Sequence, residues 1–170
     1  MATILSNAHL YLGTSLFGKV NEFKFPDISN VTVDSKPIDS IGTTKLPVGV
    51  ELDDSSIKLN GFDANVYTKL SNLDEEHIIT VRGNLKIFDG NVLRDELPVK
   101  GTIKAITNKI TALGTLKQQE NAEFTVELIP HACKIEYKGK VLSEIDIPNN
   151  IWIVDGVDKL AKMKKNLGSV

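Results

Sequence analysis

From His77 onward the chain is a succession of long segments with the residue pattern of β-strands, and this restricts its fold more than any other feature. Ile78 to Phe88 is the first of these segments, and Asp89-Gly90-Asn91 supplies the residue types of a hairpin turn. Phe124, Val126 and Leu128 fall at every second position, as apolar side chains do in a half-buried strand. The sequence therefore predicts an antiparallel, mainly β fold.

The strand that returns from this turn is expected over Val92 to Ile110. Pro98 and Gly101 interrupt it and favour a bend, a bulge or two shorter strands, because proline cannot donate to a ladder and glycine weakens one. Further strands are expected at 19–25, on either side of a turn at 53–56 within 46–59, and at 141–147 after a Lys138-Gly139 turn, with a polar loop at 113–121.

One internal helix is expected over 60–70, where apolar residues recur at every fourth position. Asn60 or Asp63 can cap its N-terminus, since both side chains accept free backbone amides. A helix this short needs a sheet beneath it to be stable. Its apolar stripe consists of Phe62, Val66 and Leu70, and the stripe indicates core packing.

The segment 27–45 shows little periodicity and is rich in Ser, Thr and Asp, with Pro37 and Gly42 inside it. It is predicted to be an extended loop. Loops of this length in compact domains are uncommon, and they are usually functional or become ordered against a partner. An ordinary mobile loop is the alternative.

The C-terminal region is predicted to end in a basic helix over 156–167. Asp155 is placed to cap its N-terminus, and Gly168 can take the left-handed conformation that closes many helices. Lysines concentrate in its C-terminal half, where they suit the negative end of the helix dipole. Either the helix is docked on its own subunit with its basic face in solvent, or it is a contact in an assembly.

Composition excludes several classes of protein. The net charge is only −2, whereas general nucleic-acid binders carry a clear basic excess. The single cysteine, Cys133, rules out an internal disulfide and indicates a reducing compartment. We expect neither a secretory signal in the first residues nor a segment long and apolar enough to cross a membrane.

No arrangement of residues indicates catalysis or metal binding. His131 and Cys133 lie two apart and would share the face of a strand, but tetrahedral zinc needs further ligands. In a catalytic Cys–His pair the histidine side chain faces the cysteine side chain, whereas two side chains on the same face of one strand point in parallel directions. We therefore expect no enzyme activity, no metal and no cofactor.

The C-terminal sequence YKGKVLSEIDIPNNIWIVDGVDKLAKMKKNLGSV, residues 137–170, resembles the C-terminus of the major tail tube proteins of contractile-tailed bacteriophages and R-type pyocins. The resemblance extends more loosely to the stretches VNEFKFPDIS, PVGVELDDSSIKL and GFDANVYTKL. The N-terminal residues only approximate the family pattern. The matching residues are Leu142, Glu144, Ile145 and Asp146, then Asp155 to Leu160, then Lys162, Lys164, Lys165, Asn166, Leu167 and Gly168.

This resemblance implies a single domain over 1–170 with an antiparallel β-sandwich or barrel of the tail-tube type, one internal helix, one C-terminal helix and an extended loop. It implies a structural virion protein whose hexameric rings stack into the inner tube of a contractile tail and conduct DNA during ejection. The implied partners are further copies of the chain, the tail sheath, baseplate and tail terminator proteins, the tape measure protein and, transiently, phage DNA. No membrane is implied, and the location is the virion tail, with the host cytoplasm during assembly.

The resemblance also directs attention to particular residues as contacts between copies or as residues lining the channel. Two other functions stay open: a secretion-system tube subunit of the hemolysin-coregulated type, and a β-sandwich adhesion or carbohydrate-binding module. The module is disfavoured because aromatic residues make up 6% of the chain. The assembly candidates are Asp34, Pro37, Ile38, Ile41, Val157, Leu160, Lys164 and Leu167; the channel candidates are Glu51, Lys104 and Thr107.

Overall fold

A computed structural model of the chain describes residues 1–16, 20–113, 116–120 and 122–168. In this part of the chain strands predominate and the two helices are short. In chain order the elements are β1 (Ala2–Leu12), β2 (Ser15–Leu16), β3 (Val20–Lys24), β4 (Ile28–Ser35), β5 (Thr44–Leu52), β6 (Ser55–Asn60), α1 (Ala64–Leu70), β7 (Glu76–Asp89), β8 (Val92–Ile110), β9 (Glu123–Tyr137), β10 (Lys140–Asp146), β11 (Ile151–Val154), β12 (Val157–Asp158) and α2 (Ala161–Asn166).

Among the described residues, ten strands form one antiparallel sheet: eight follow the order β12-β11-β10-β9-β8-β7-β1-β2, and β6 and β3 form a branch. The sheet branches at β9: β8 lies along one edge, while β6 pairs with the first half of the other edge and β10 with the second half. β3 extends the β6 branch. The expectation of a mainly antiparallel β fold with two helices is confirmed.

The core lies where β1, β6, β7, β8 and β9 meet α1. Phe124 is fully buried there, and its ring contacts the rings of Phe62 and Tyr67 at centroid distances of 6.1 and 5.8 Å. The predicted alternation is confirmed, since Phe124, Val126 and Leu128 all point into this core. α1 covers it with Val66 and Leu70.

The internal helix begins later than predicted. Asn60 ends β6, and Asp63 caps the helix by accepting the amides of Asn65 and Val66 at 2.9 and 3.3 Å. Phe62 precedes the helix and is half-exposed. The predicted strand at 19–25 is found as β3; its first residue, Lys19, lies outside the described residues, as do positions 114, 115 and 121 of the predicted polar loop.

The prediction of an extended loop over 27–45 is wrong. β4 and β5 pair along their whole length to form a two-stranded hairpin, and only residues 36–43 lie outside the strands. The β-branched residues Ile28, Val31 and Val33 favour a strand, and pairing with β5 supplies the hydrogen bonds that an isolated extended segment lacks. We call this hairpin, residues 28–52, the arm.

The predicted start of the C-terminal helix is also wrong. Asp155 and Gly156 have φ values of 50° and 79° and form the two-residue turn between β11 and β12, so Asp155 caps no helix. Asp-Gly is a favoured pair for such hairpin turns because both residues tolerate positive φ. The helix starts only at Ala161. Gly168, with a φ of 71°, takes the left-handed conformation expected after the helix.

β8 is continuous from Val92 to Ile110, contrary to the predicted interruption at Pro98 and Gly101. Pro98 lies just beyond the last β8 residue that pairs with β9, and its carbonyl accepts the amide of Lys138 at 3.1 Å. The side of Pro98 that lacks an amide proton therefore faces the end of the β8–β9 ladder, where the missing hydrogen bond costs little stability. The irregularities in the pairing of β8 with β9 lie at Lys104/Ala105 and at Thr107/Lys109 instead.

Gly101 is required by the packing of Phe25. A Cβ atom at this position would lie 2.5 Å from Cε1 of the Phe25 ring. We expect Gly101→Ala to lower the free energy of unfolding by about 1–3 kcal/mol, the usual cost of overpacking. Chemical denaturation of the dilute subunit measures this change in the free energy of unfolding. Gly42→Ala, where a Cβ meets nothing within 4 Å, is the matched control; equal stability of the two variants would contradict the steric account.

Candidate assembly surfaces

The subunit exposes more surface than a compact monomer of its size. Its accessible area is 11387 Å², whereas a folded monomer of 18.7 kDa has about 8,300 Å². The arm contributes to this difference, because most of its large apolar side chains are exposed and only Leu52 packs against the core. A surface this large indicates a protein whose apolar side chains become covered by other copies or partners.

The arm is joined to the core at its base. There the amide of Asp53 donates to the carbonyl of Asp27 at 2.9 Å, and Leu52 packs against the core. Farther out, cross-strand neighbours Val33 and Leu46 are exposed, and Val31 lies on the same face of the hairpin. A two-stranded hairpin with exposed apolar residues is marginally stable in water by itself, so the arm needs a surface to lie against.

Four of the predicted assembly residues lie together at or near the tip of the arm. Asp34 is paired opposite Lys45 near the end of β4. Pro37 accepts the amide of Ser40 at 3.1 Å in the connecting turn. Ile38 and Ile41 in that turn are completely exposed, at 108% and 110% of their reference areas. Large apolar side chains held this far from the core are candidates for contact with another molecule.

The other four predicted assembly residues lie in the C-terminal segment, although not on one helix. Val157 belongs to β12 and is exposed, while Leu160 is half-buried and immediately precedes α2. Lys164 donates to a carboxylate oxygen of Asp158 at 3.1 Å. Leu167 follows α2 and is 72% exposed. The predicted narrow apolar face is thus divided between a strand and a helix.

Asp158 anchors the start of this segment. Its carboxylate accepts the backbone amide of Leu160 at 2.9 Å as well as the ammonium group of Lys164. The amide of Leu160 and then Lys164 lower the pKa of Asp158 below its ordinary value, because both stabilise the charged form. These two interactions of Asp158 take the place of a conventional helix cap and hold α2 against β12.

The three predicted channel residues do not lie on one surface. Glu51 is on the arm, where Ser29 donates to its carboxylate at 3.3 Å. Lys104 is on the face of β8 that points away from the core. Thr107 is 3% exposed beside the core, so as a channel residue it is a wrong prediction. Residues three apart on a strand point to opposite faces, so Lys104 and Thr107 could not share one.

The face that carries Lys104 is polar and continuous across β7, β8, β9 and β10. Lys100 lies opposite both Arg82 and Glu136, and its ammonium group is 3.3 Å from the Glu136 carboxylate. Lys134 approaches the same carboxylate at 4.0 Å, and Lys86 pairs with Glu96 at 3.4 Å. We call this surface the polar face. Its charges are of both signs and are partly compensated within the subunit.

Sequence reasoning missed both the apolar row of the arm and most of the polar face. The signal for the first is the spacing of Val31 and Val33, which are two apart as in a strand. The signal for the second is the alternation of Lys100, Thr102 and Lys104 with Gly101, Ile103 and Ala105. That alternation separates a polar face from a core face along one long strand.

His131 and Cys133 do not meet. His131 lies 2.8 Å from a carboxylate oxygen of Glu76, whereas Cys133 is buried in the core, and burial raises the pKa of its thiol to about 11. Within the described ranges, no three His, Cys, Asp or Glu side chains are grouped to hold a metal ion. Neither described helix is long and apolar enough to cross a membrane.

Comparison with known structures supports the same fold. A chain of the sheath/tube terminator structure of the PVC extracellular contractile injection system, in its extended state, has a TM-score of 0.58 and 13% identity, and covers 77% of this chain and 94% of that one. A chain of the PVC sheath-tube complex has a TM-score of 0.55 and 13% identity, covering 76% and 88%. At this identity the likeness concerns the fold.

Comparison of sequences shows the family. The tail tube protein of Escherichia phage P2 is 28% identical in an alignment of 129 residues, and the alignment covers 72% of this chain and 72% of that protein. The family described as Phage tail tube protein FII matches residues 2–168, almost the whole chain. This chain therefore belongs to the phage tail tube protein FII family.

Proposed function

We propose that this tail tube protein is a purely structural subunit that forms hexameric rings, and that the rings stack into the inner tube of a contractile tail. The observation that carries the proposal is the arm: a hairpin joined to the core at its base, with Val33, Leu46 and the isoleucines of its tip exposed. Apolar surface of this kind is covered when identical subunits associate.

The arm and the sheet edges serve different contacts in this proposal. The arm is a two-stranded sheet separate from the ten-stranded one, and it reaches a subunit of the adjacent ring. The outer strands at the two ends of the sheet order meet their counterparts in the same ring. Joining sheets across subunits removes the unpaired edges that would otherwise bind other chains without control.

The polar face lines the channel in this proposal, and Lys104 is the predicted channel residue that lies on it. Tight binding of DNA requires positive charges that are free to neutralise phosphates. On this face the carboxylate of Glu136 lies between Lys100 and Lys134 and offsets part of their charge. Weak attraction allows DNA to pass through the tube without being held.

The family and the solved relatives suggest the remaining partners. The similar structures contain a sheath, a tube and a terminator, and we propose the corresponding proteins, with a baseplate, as partners of this chain. A tape measure protein and then DNA occupy the channel. The subunit is made in the host cytoplasm, ends in the virion tail and catalyses no reaction.

Labelling of assembled tubes tests the orientation of the subunit. In a Cys133→Ala background, Lys104→Cys is expected to react with a small maleimide in both free subunits and tubes, but with a bulky maleimide only in free subunits. Lys117→Cys, in a polar loop and exposed, is the control that both reagents reach. Equal rates of bulky labelling at Lys104→Cys in tubes and in free subunits would show that the polar face lies outside the channel.

A further inference from the structure

Surfaces of opposite charge lie at the β12 end of the ten-stranded sheet and beside its β1–β2 end. β12 lies at one end of the strand order, and α2 follows it after two residues. β1 and β2 lie at the other end, where the amide of Gly13 donates to the carbonyl of Ile78 at 2.9 Å. In a closed ring each subunit presents one end to the other end of its neighbour, because ring contacts are head-to-tail.

The α2 end is basic. Lys159, Lys162 and Lys165 are exposed, while Lys164 is held by Asp158. Apolar side chains accompany these charges, with Met163 on the helix and Leu167 directly after it, both exposed. The end therefore combines positive charge with uncovered apolar surface, which is typical of a segment that docks on an acidic, partly apolar site.

The opposite end is acidic. The turn between α1 and β7, residues 71–75, continues into Glu76, and its exposed acidic residues are Asp74, Glu75 and Glu76, of which Glu76 is already held by His131. Asn72 donates to Glu75 at 3.0 Å and orients that carboxylate within the turn. Leu73 and Ile78 lie among these charges and are exposed. We call residues 72–76 the acidic turn.

Two adjoining hollows give this end a concave shape. One, of about 380 Å³, lies between α1 and β2, and the other, of about 430 Å³, lies between α1 and the acidic turn. Leu12 and Lys69 line both of them, so the hollows form one groove beside α1. Leu16 adds an exposed apolar side chain to its wall.

We propose that α2 of one subunit docks against the acidic turn and the groove beside α1 of the next subunit in the same ring. The occupant is a second copy of this chain, because the exposed lysines of the α2 end and the carboxylates of Asp74 and Glu75 are complementary in charge and lie in separate parts of one subunit. This contact rests on the proposed tube function and specifies how neighbouring subunits join.

Charge reversal tests the contact without removing a core residue. Lys165→Glu and Glu75→Lys are each expected to raise the protein concentration needed for assembly at least about fivefold at low ionic strength, since attraction becomes repulsion. The double variant Lys165→Glu/Glu75→Lys is expected to return to within about threefold of the wild type, because opposite charges face each other again. Lys117→Glu, a charge reversal in the polar loop, is the control. Assembly by both single variants at the wild-type concentration would overturn the proposal and leave these surfaces to another protein, such as the sheath.

A disulfide tests the geometry directly. In the Cys133→Ala background, Lys162→Cys with Asp74→Cys is expected to give a ladder of covalent oligomers after mild oxidation of assembled protein, and each single variant is expected to give none above dimer. Tubes of the double variant that yield only monomers would overturn the docking while leaving the tube function intact. Failure of the wild-type protein to form rings would overturn both.

Discussion

Replacing Ser29–Glu51 by the dipeptide Asn-Gly is expected to abolish tubes while leaving the subunit folded. Ile28 and Leu52 are direct cross-strand partners, so a two-residue hairpin turn can join them without moving the base of the arm. The replacement removes Val33, Leu46 and both isoleucines of the tip, and each fully buried side chain of this kind stabilises a contact by about 1.5–3 kcal/mol. Negative-stain microscopy at a concentration where the wild type forms tubes measures the result.

The base of the arm serves as the internal control for this change. The hydrogen bond from Asp53 to Asp27 and the packing of Leu52 are both retained, so thermal unfolding of the dilute variant is expected to stay close to that of the wild-type subunit. Isolated rings without stacks would assign the arm to the contact between rings. Tubes of ordinary length from the shortened chain would contradict the role proposed for the arm.

Phe124→Ala is expected to cause the largest loss of subunit stability, about 3–5 kcal/mol. The ring is fully buried and touches the rings of Phe62 and Tyr67, which hold α1 over the sheet, so its removal leaves a cavity at the centre of the core. For a chain of this size such a loss corresponds to a fall in Tm of roughly 6–20 °C. Differential scanning calorimetry of the dilute subunit provides the measurement.

Phe62→Ala is the matched control for this change. Phe62 is an aromatic residue of the same cluster but is 45% exposed, so its truncation is expected to cost less than half as much as that of Phe124. A fall in Tm for Phe62→Ala equal to or greater than that for Phe124→Ala would contradict the assignment of the core.

The elements that the sequence predicts well are those whose pattern is set within one subunit. The strand β7 and the alternation of β9 follow from a core on one side and water on the other, whereas β8 was expected to be interrupted and is continuous. Asp63 caps α1 as predicted, because a capping side chain acts within a single turn of the chain. In these elements local preference and tertiary packing favour the same conformation.

The hairpin structure of the arm could not be predicted in the same way, because the apolar residues of the arm face no core in their own subunit. The sequence predicts β5, as the strand before the turn at 53–56, but not its partner β4, and the pairing of the two strands contains a bulge. The helix start at Asp155-Gly156 was predicted wrongly for another reason. The same dipeptide is favourable both at the N-terminus of a helix and in a tight hairpin turn. The strand β12 that follows it decides between the two.

The polar face was only partly predicted, because the sequence does not state which face of a strand meets the core. Lys104 and Thr107 both have polar side chains that suit a water-filled channel. Lys104 faces outward, however, whereas Thr107 lies beside Leu128 in the interior. The charges that offset Lys100 come from β9, which is distant in sequence. Only the register of the sheet brings Glu136 opposite Lys100.

Cryo-electron microscopy of the purified protein, combined with sedimentation velocity over rising concentration, tests the central claim most directly. We expect hollow rings that stack into tubes, with the arm of each subunit lying on the adjacent ring and the polar face around the channel. A single sedimenting species of 18.7 kDa at every concentration, with no rings or tubes in the images, would contradict it.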